Sequence, residues 1–313
     1  MTTSDRRLIV NADDFGLAPS VDRGIADAVA AGSVTSMSVM ANLVDVDALA
    51  RVAAAHPRVS VGAHLNLTTG RPLSPPEEVR SLVDGDGRFF PLDVVTRKAF
   101  RRRLNLAEAA RELNAQVSLL SAAGVAVDHL DSHEHVHLLP GLTGVVVRLG
   151  WHAGVRRIRS HRTRLVRPGG VRVADVVGYY RRHPRRIVTH LAKRVIARRL
   201  AHAGLRGPDG MVASSLLARP VAGGPLAEWR AIAEGLPAGT WELVVHPADL
   251  RAGLADGEQA LLGDLVERRD AEHRALASPA FHAAVEAAGV TLVSFVGTPV
   301  RRPEEGAHVA RSA

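Results

Sequence analysis

Along most of this chain, apolar runs of strand length alternate with stretches of helical period. "RLIVN" at 7–11 is a short apolar run of the kind that forms a strand buried on both faces. From 19 to 32, Val21, Ile25, Ala28 and Val29 recur at helical spacing, with Pro19 at the entrance and Gly32 at the exit. The alternation continues through "VTSMSVM" (34–40), a helix over 45–55, and "VSVGAHLNL" (59–67). A helix over 106–123 stops at Gly124 and leads into "VAVDHLDSH" (125–133). A helix near 140–153 precedes the short run "VRRIRS" (155–160). The late strands are "TWELVVHP" (240–247) and "VTLVSF" (290–295), with helices over 225–235 and 258–288.

Strands joined through helices run parallel, with right-handed crossovers. With about seven such units, the pattern predicts an α/β fold, a distorted or incomplete (β/α) barrel of TIM type, rather than an open sheet. One domain is expected over residues 1–300, with insertions at 70–105 and 160–224 over the C-terminal face of the barrel. A disordered tail is expected at 301–313.

Composition changes this picture in two places. The chain has no cysteine, so disulfides and thiolate metal sites are excluded. No run approaches the ~20 apolar residues of a membrane span, and the first residues have no apolar signal core, so a soluble, cytoplasmic protein is expected. The net charge of +8 invites a nucleic-acid reading. Its distribution argues against one, because residues 155–206 hold 16 of the 40 lysines and arginines and a single acid, Asp175. Only Tyr179 and Tyr180 stand among those cations as stacking partners, and nucleic acid is not expected as a partner. The segment reads either as a solvated face or as a surface for an anionic substrate or lipid headgroups. A helix over 184–203 carries Ile187, Val188, Leu191, Val195 and Ile196, but Arg198 and Arg199 interrupt that stripe.

The candidate chemistry falls at strand ends. "IVNADDFG" (9–16) places Asp13 and Asp14 side by side, where like charges repel unless a cation joins them. His64 ends another strand in "GAHLNLT". "HLDSHEHVH" brings His129, Asp131, His133, His135 and His137 to one face for as long as the strand lasts. Asp131 is close enough in sequence to orient a ligating histidine. Aspartate with two histidines suits Zn²⁺ or a similar divalent ion with open positions. His246, before Pro247, is either a general acid or base or a capped strand end. A metal-dependent phosphoesterase would use a similar site, with the arginine-rich insertion holding phosphate. The scarcity of further carboxylates for a second metal disfavours it.

Taken in order, "IVNADDFG", "VTSMSVM", "GAHLNLT" with "GRPL", "HLDSHEHVH" and a late "HPA" resemble the YdjC/ChbG family of carbohydrate deacetylases. The resemblance spans residues 8 to about 250. It implies a distorted (β/α) barrel, one divalent metal ion (Zn or Mg), and removal of acetyl groups from N-acetylated amino sugars. That chemistry is similar to that of the NodB-type polysaccharide deacetylases. By motif position it implies Asp14, His64 and His133 as metal ligands, Asp13 as catalytic base and His246 as the acid. His135 and His137 would then line the pocket or orient the others. "GRFF" and "RRLAHAGLRGPDG" are similar to the hopanoid-biosynthesis (HpnK-like) branch, which acts on an N-acetylglucosaminyl lipid. That likeness implies a glycolipid substrate and a membrane-surface role for residues 155–206. The family also implies a homodimer.

Overall fold

The computed structural model describes residues 6–165, 178, 181–182, 184–213, 223–297 and 299–300. Much of the expected insertion at 160–224, including Tyr179 and Tyr180, and the tail at 301–313 lie outside the described residues.

β1 (Arg6–Phe15) is the centre of the sheet. Around it stand β2 (Ser36–Val39), β3 (Ser60–Leu65), β4 (Val127–Ser132), β5 (Thr163–Leu165), β6 (Gly210–Ala213) and β7 (Gly239–Val245). Their order is β4-β3-β2-β1-β7-β6-β5, all pairs parallel, and β8 (Thr291–Leu292) pairs with the start of β1. The run before β5 closes the ring. Leu130 N–H donates to Arg157 O at 2.9 Å, Arg159 N–H to Leu130 O at 2.9 Å, and Ile158 N–H to Arg206 O at 2.8 Å. The short run "VRRIRS" is therefore a staple: each neighbour is engaged at a single residue.

The helices are α1 (Pro19–Ala30), α2 (Val46–Ala55), α3 (Leu92–Phe100), α4 (Leu106–Ala122) and α5 (Leu142–His152). They continue with α6 (Pro184–His202), α7 (Gly224–Glu234), α8 (Glu258–Leu262), α9 (Val266–Ala277) and α10 (Pro279–Ala287). α1 buries the predicted stripe of Val21, Ile25, Ala28 and Val29. Asp45 and Asn105 cap α2 and α4 by accepting from two backbone N–H groups each.

Two expected elements differ. The helical stretch expected at 258–288 divides into three. Gly263, at φ +59, ends α8, and Ser278 is extended because Pro279 follows it. The expected strand at 290–295 keeps two residues, because Val293 and Phe295 turn inward onto Ile9 in a small separate cluster. The expected insertion at 70–105 has structure of its own, with a 3₁₀ turn at Pro76–Glu78 and α3. Among the described residues, no helix is long and apolar enough to cross a membrane.

The strands alternate between two faces. Leu8, Val10 and Ala12 of β1 pack outward into the main core, while Ile9, Asn11 and Asp13 face inward. The floor of the barrel is made by Phe295, stacked on the His129 ring at 3.9 Å between centroids and 3° between planes. Gly62 pairs with His129 across β3 and β4, and a Cβ there would fall 2.2 Å from His129 Nε2. Gly62→Ala should therefore destabilise the protein by about 1–3 kcal/mol through overpacking. Chemical denaturation measures this, and an unchanged midpoint would mean that the His129–Phe295 floor yields freely.

Candidate active site

The end of β1 explains how two adjacent carboxylates serve one site. In a regular strand Asp13 and Asp14 would point to opposite faces. Here the register with β2 shifts between Ala12 and Phe15, and Asp14 takes φ +77, in the left-handed region that favours glycine. The break brings both side chains to the mouth of the barrel. Asp14 Oδ1 lies 2.9 Å from His133 Nδ1 and 3.4 Å from His64 Nε2. His64 Nδ1 lies 2.9 Å from Asp131 Oδ1, so Asp131 orients this cross-strand ring and not a histidine of its own stretch.

The ligand-capable atoms of Asp14, His64 and His133 all lie within 4.8 Å of one another. Two imidazole nitrogens and one carboxylate oxygen form a donor set that fits a divalent ion such as zinc. Asp13, His64 and Asp131 form a second group of the same compactness. Two of its members, Asp13 and Asp131, are committed to another partner.

That partner is Arg159, which is fully buried. Its Nη1 and Nη2 donate to Asp13 Oδ2 and Oδ1 at 2.7 and 2.5 Å. Nη2 also lies 2.7 Å from Asp131 Oδ2, and Nε donates to Glu242 Oε1 at 2.6 Å. Asn11 Nδ2 donates to Asp13 Oδ1 at 2.7 Å, and Ser38 Oγ donates to Asp131 Oδ2 at 2.7 Å. The basic segment is thus not wholly a solvated face, because one of its arginines sits at the centre of the barrel.

Burial and charge set the protonation states. Burial alone would raise the Asp131 carboxyl, but the charges of Arg159 and His64 hold it far below the usual carboxylate range. Burial opposes a charged His64 ring, but Asp131 and Asp13 outweigh it and lift the ring to about 10. Burial raises Asp14 as well, and hydrogen bonds and charge from His133 and His64 more than reverse it. Glu242 goes the other way, pushed up to about 7 by burial despite Arg159.

His246 Nε2 stands 4.0 Å from Asp13 Oδ2, on a partly exposed side chain. His64 Nε2 is 3.9 Å from the same oxygen, so both rings approach Asp13 Oδ2. His135 and His137 do not continue the row of ligands. β4 ends at Ser132, and Glu134 and His135 take φ +52 and +58 at a kink, so the period of two is lost after His133. His137 Nδ1 pairs with Ser132 Oγ at 2.5 Å. Both rings pack against His161, at 4.6 and 4.7 Å between centroids. Arg159, Glu242, His161 and Arg269, which donates to Asp14, were not anticipated from the sequence.

The model of the YdjC-like protein family matches residues 7–287. The chain belongs to that family. A human carbohydrate deacetylase is 32% identical over 97% of this YdjC-like chain and 95% of its own length. A carbohydrate deacetylase of Brevibacillus brevis is 41% identical over 46% of this chain. That match spans about half of the bacterial relative, 55% of its length. A crystal structure from Enterococcus faecalis V583 superposes with a TM-score of 0.68 at 24% identity, over 94% of this chain and 98% of that one. It supports the fold.

Glu242 gives the site a measurable pH signature. Its carboxyl is raised from 4.5 to about 7, so the folded state binds the proton more tightly than the unfolded state. Its contribution to stability is complete below about 4.5 and is lost as pH rises through about 7. Glu242→Gln should remove that loss. Denaturation of both proteins at several pH values across this window measures the difference, and parallel pH profiles would sink the assignment.

Proposed function

We propose that this YdjC-like chain is a metal-dependent carbohydrate N-deacetylase that hydrolyses the acetamide of an N-acetylated amino sugar. One observation carries the reading: Asp14, His64 and His133 converge beside a separately held carboxylate, Asp13, whose Oδ2 has His246 Nε2 4.0 Å away. The names of the two deacetylase relatives support the substrate class.

Asp14 Oδ1, His64 Nε2 and His133 Nδ1 would hold the ion, zinc or magnesium. When bound, it supplies Lewis acidity, acidifying water and polarising an acyl oxygen. Asp13 accepts the proton of the attacking water. Its two oxygens are clamped by Arg159, so it is kept in place as a base and does not swing to become a fourth ligand. The water oxygen bonds to the acetamide carbonyl carbon, and the C–N bond then breaks. His246 delivers a proton to the departing nitrogen, because an amine leaves only when protonated. Acetate and a free amino sugar result. The phosphoesterase alternative loses ground, since Asp13 and Asp131 are both engaged by Arg159 and offer little to a second cation.

The outer face of α6 bears on which sugar is used. Leu191 and Val195 are 57% and 47% exposed, beside exposed Arg194, Arg198 and Arg199. Ile187 and Val188 of the predicted stripe lie outside the described side chains. This mixed apolar and basic face supports contact with an anionic membrane surface and a lipid-linked substrate.

Metal-loaded protein should release acetate from N-acetylglucosaminyl compounds, and a chelator should abolish the release. Acetate from lipid-linked members alone supports the membrane reading of α6, and acetate from soluble oligosaccharides makes that face ordinary surface. No acetate from any of them, with metal bound, would remove the deacetylase reading. Asp13→Asn should keep the metal and lose turnover by about 10²–10⁴-fold. His64→Ala and His133→Ala should each lower metal content. Elemental analysis of the purified variants checks this, and full stoichiometry in either would strike that residue from the ligand set.

A further inference from the structure

α9 packs outside the barrel, yet one of its turns reaches two parts of the site. Arg269 is only 5% exposed, and its Nη2 donates to Asp14 Oδ2 at 2.6 Å. The other oxygen of the same carboxylate, Oδ1, is the one that faces His133 and His64. The two oxygens of Asp14 are therefore divided between α9 and the histidines. Arg269 Nε and Nη1 are buried without a partner, so the guanidinium is not fixed by a network of its own. The bond to Asp14 is the interaction that accounts for burying a cation there. The backbone of α9 is anchored close by. Arg269 O accepts from Ala248 N–H at 3.1 Å, and Glu272 Oε2 accepts from His246 N–H at 2.6 Å. Arg268 Nε in turn donates to Glu272 Oε1 at 2.9 Å.

We propose that Arg269 is a positioning residue that makes Asp14 a one-oxygen ligand. The proposal rests on the reading of Asp14 as a metal ligand. A carboxylate at the end of a strand can rotate. It can then offer both oxygens to an ion, or turn Oδ1 away from the histidine nitrogens. A hydrogen bond to the far oxygen removes both options, and partners of this kind around ligating groups are worth about 10–100-fold in metal affinity. Two simpler roles give different results. If Arg269 only placed a positive charge near the site, it would repel a divalent ion, and its removal would tighten binding. If it only filled space under α9, its removal would change stability and leave metal affinity alone.

The test is zinc affinity, read by competition with a chromophoric chelator, for wild type, Arg269→Met, Arg269→Gln and Arg269→Lys. Circular dichroism and thermal melting confirm that each is folded. Arg269→Met should bind one zinc about 10–100-fold more weakly. Arg269→Lys keeps the charge and one donor but loses the planar fork, and should recover part of the affinity. Arg269→Gln stands in if the methionine variant does not fold, and it should also bind more weakly. Affinity equal to or tighter than wild type in the folded Met or Gln variant overturns the proposal. A wild-type protein that takes up no zinc overturns both this inference and the metal-site reading. Normal wild-type uptake that ignores Arg269 overturns the inference alone.

Discussion

One buried guanidinium holds the inside of this barrel together. Arg159 binds carboxylates from three strands: Asp13 of β1, Asp131 of β4 and Glu242 of β7. Its own backbone closes the ring against Leu130. Three carboxylates around one arginine cannot all be charged cheaply in a low-dielectric interior. The structure answers with a second cation, His64, and with a glutamate whose burial keeps it protonated to about pH 7. Taking Arg159 away would leave His64 alone to balance the buried Asp13 and Asp131, so the scaffold and the candidate chemistry share one dependency.

From that clamp follows the division of labour between the two neighbouring aspartates. Asp13 is held by Arg159 and Asn11 and has no oxygen free of the polar network. Asp14 is turned out of the strand alternation by its positive φ and meets the histidines instead. A straight strand end would have sent one of the two to the far face. The left-handed residue is therefore the step that turns a repeated letter in the sequence into two different chemical roles.

The strand ends were legible because parallel strands buried on both faces give short apolar runs, and a polar residue at the end of such a run stands out. Asp13, Asp14, His64, His133 and His246 were all visible in this way. Asp131 stood out as an orienting group by its closeness to the histidines of its own stretch, but the ring it holds is His64, its partner across β3 and β4. The reading failed where the backbone left the strand: nothing in "SHEHVH" announces that Glu134 and His135 take positive φ. Arg159 was hidden by its company. Among so many arginines between 155 and 206 nothing marks this one as inward-facing: Arg157 shares its strand parity and is exposed, and the closing staple lacks the apolar run that betrays a strand. Arg269 was hidden more deeply, since α9 is largely polar and its sequence does not say which side chain will cross to the mouth.

Charge balance also describes what an arriving ion would meet. Asp13, Asp14 and Asp131 face Arg159, Arg269 and His64, whose ring the neighbouring carboxylates push towards its charged form, so the side chains of the cluster come near to balancing one another. The His64 Nε2 that faces Asp14 Oδ1 at 3.4 Å is the nitrogen that would share a cation with it. An imidazole ligates only in its neutral form, so metal and proton compete for the same position. The raised affinity of His64 for a proton and its suitability as a ligand have one cause: carboxylates crowded around a ring with no access to water. This balance among side chains lets the buried charges fold together. The same arrangement lets a divalent ion replace a proton without leaving any of the three aspartates unpaired.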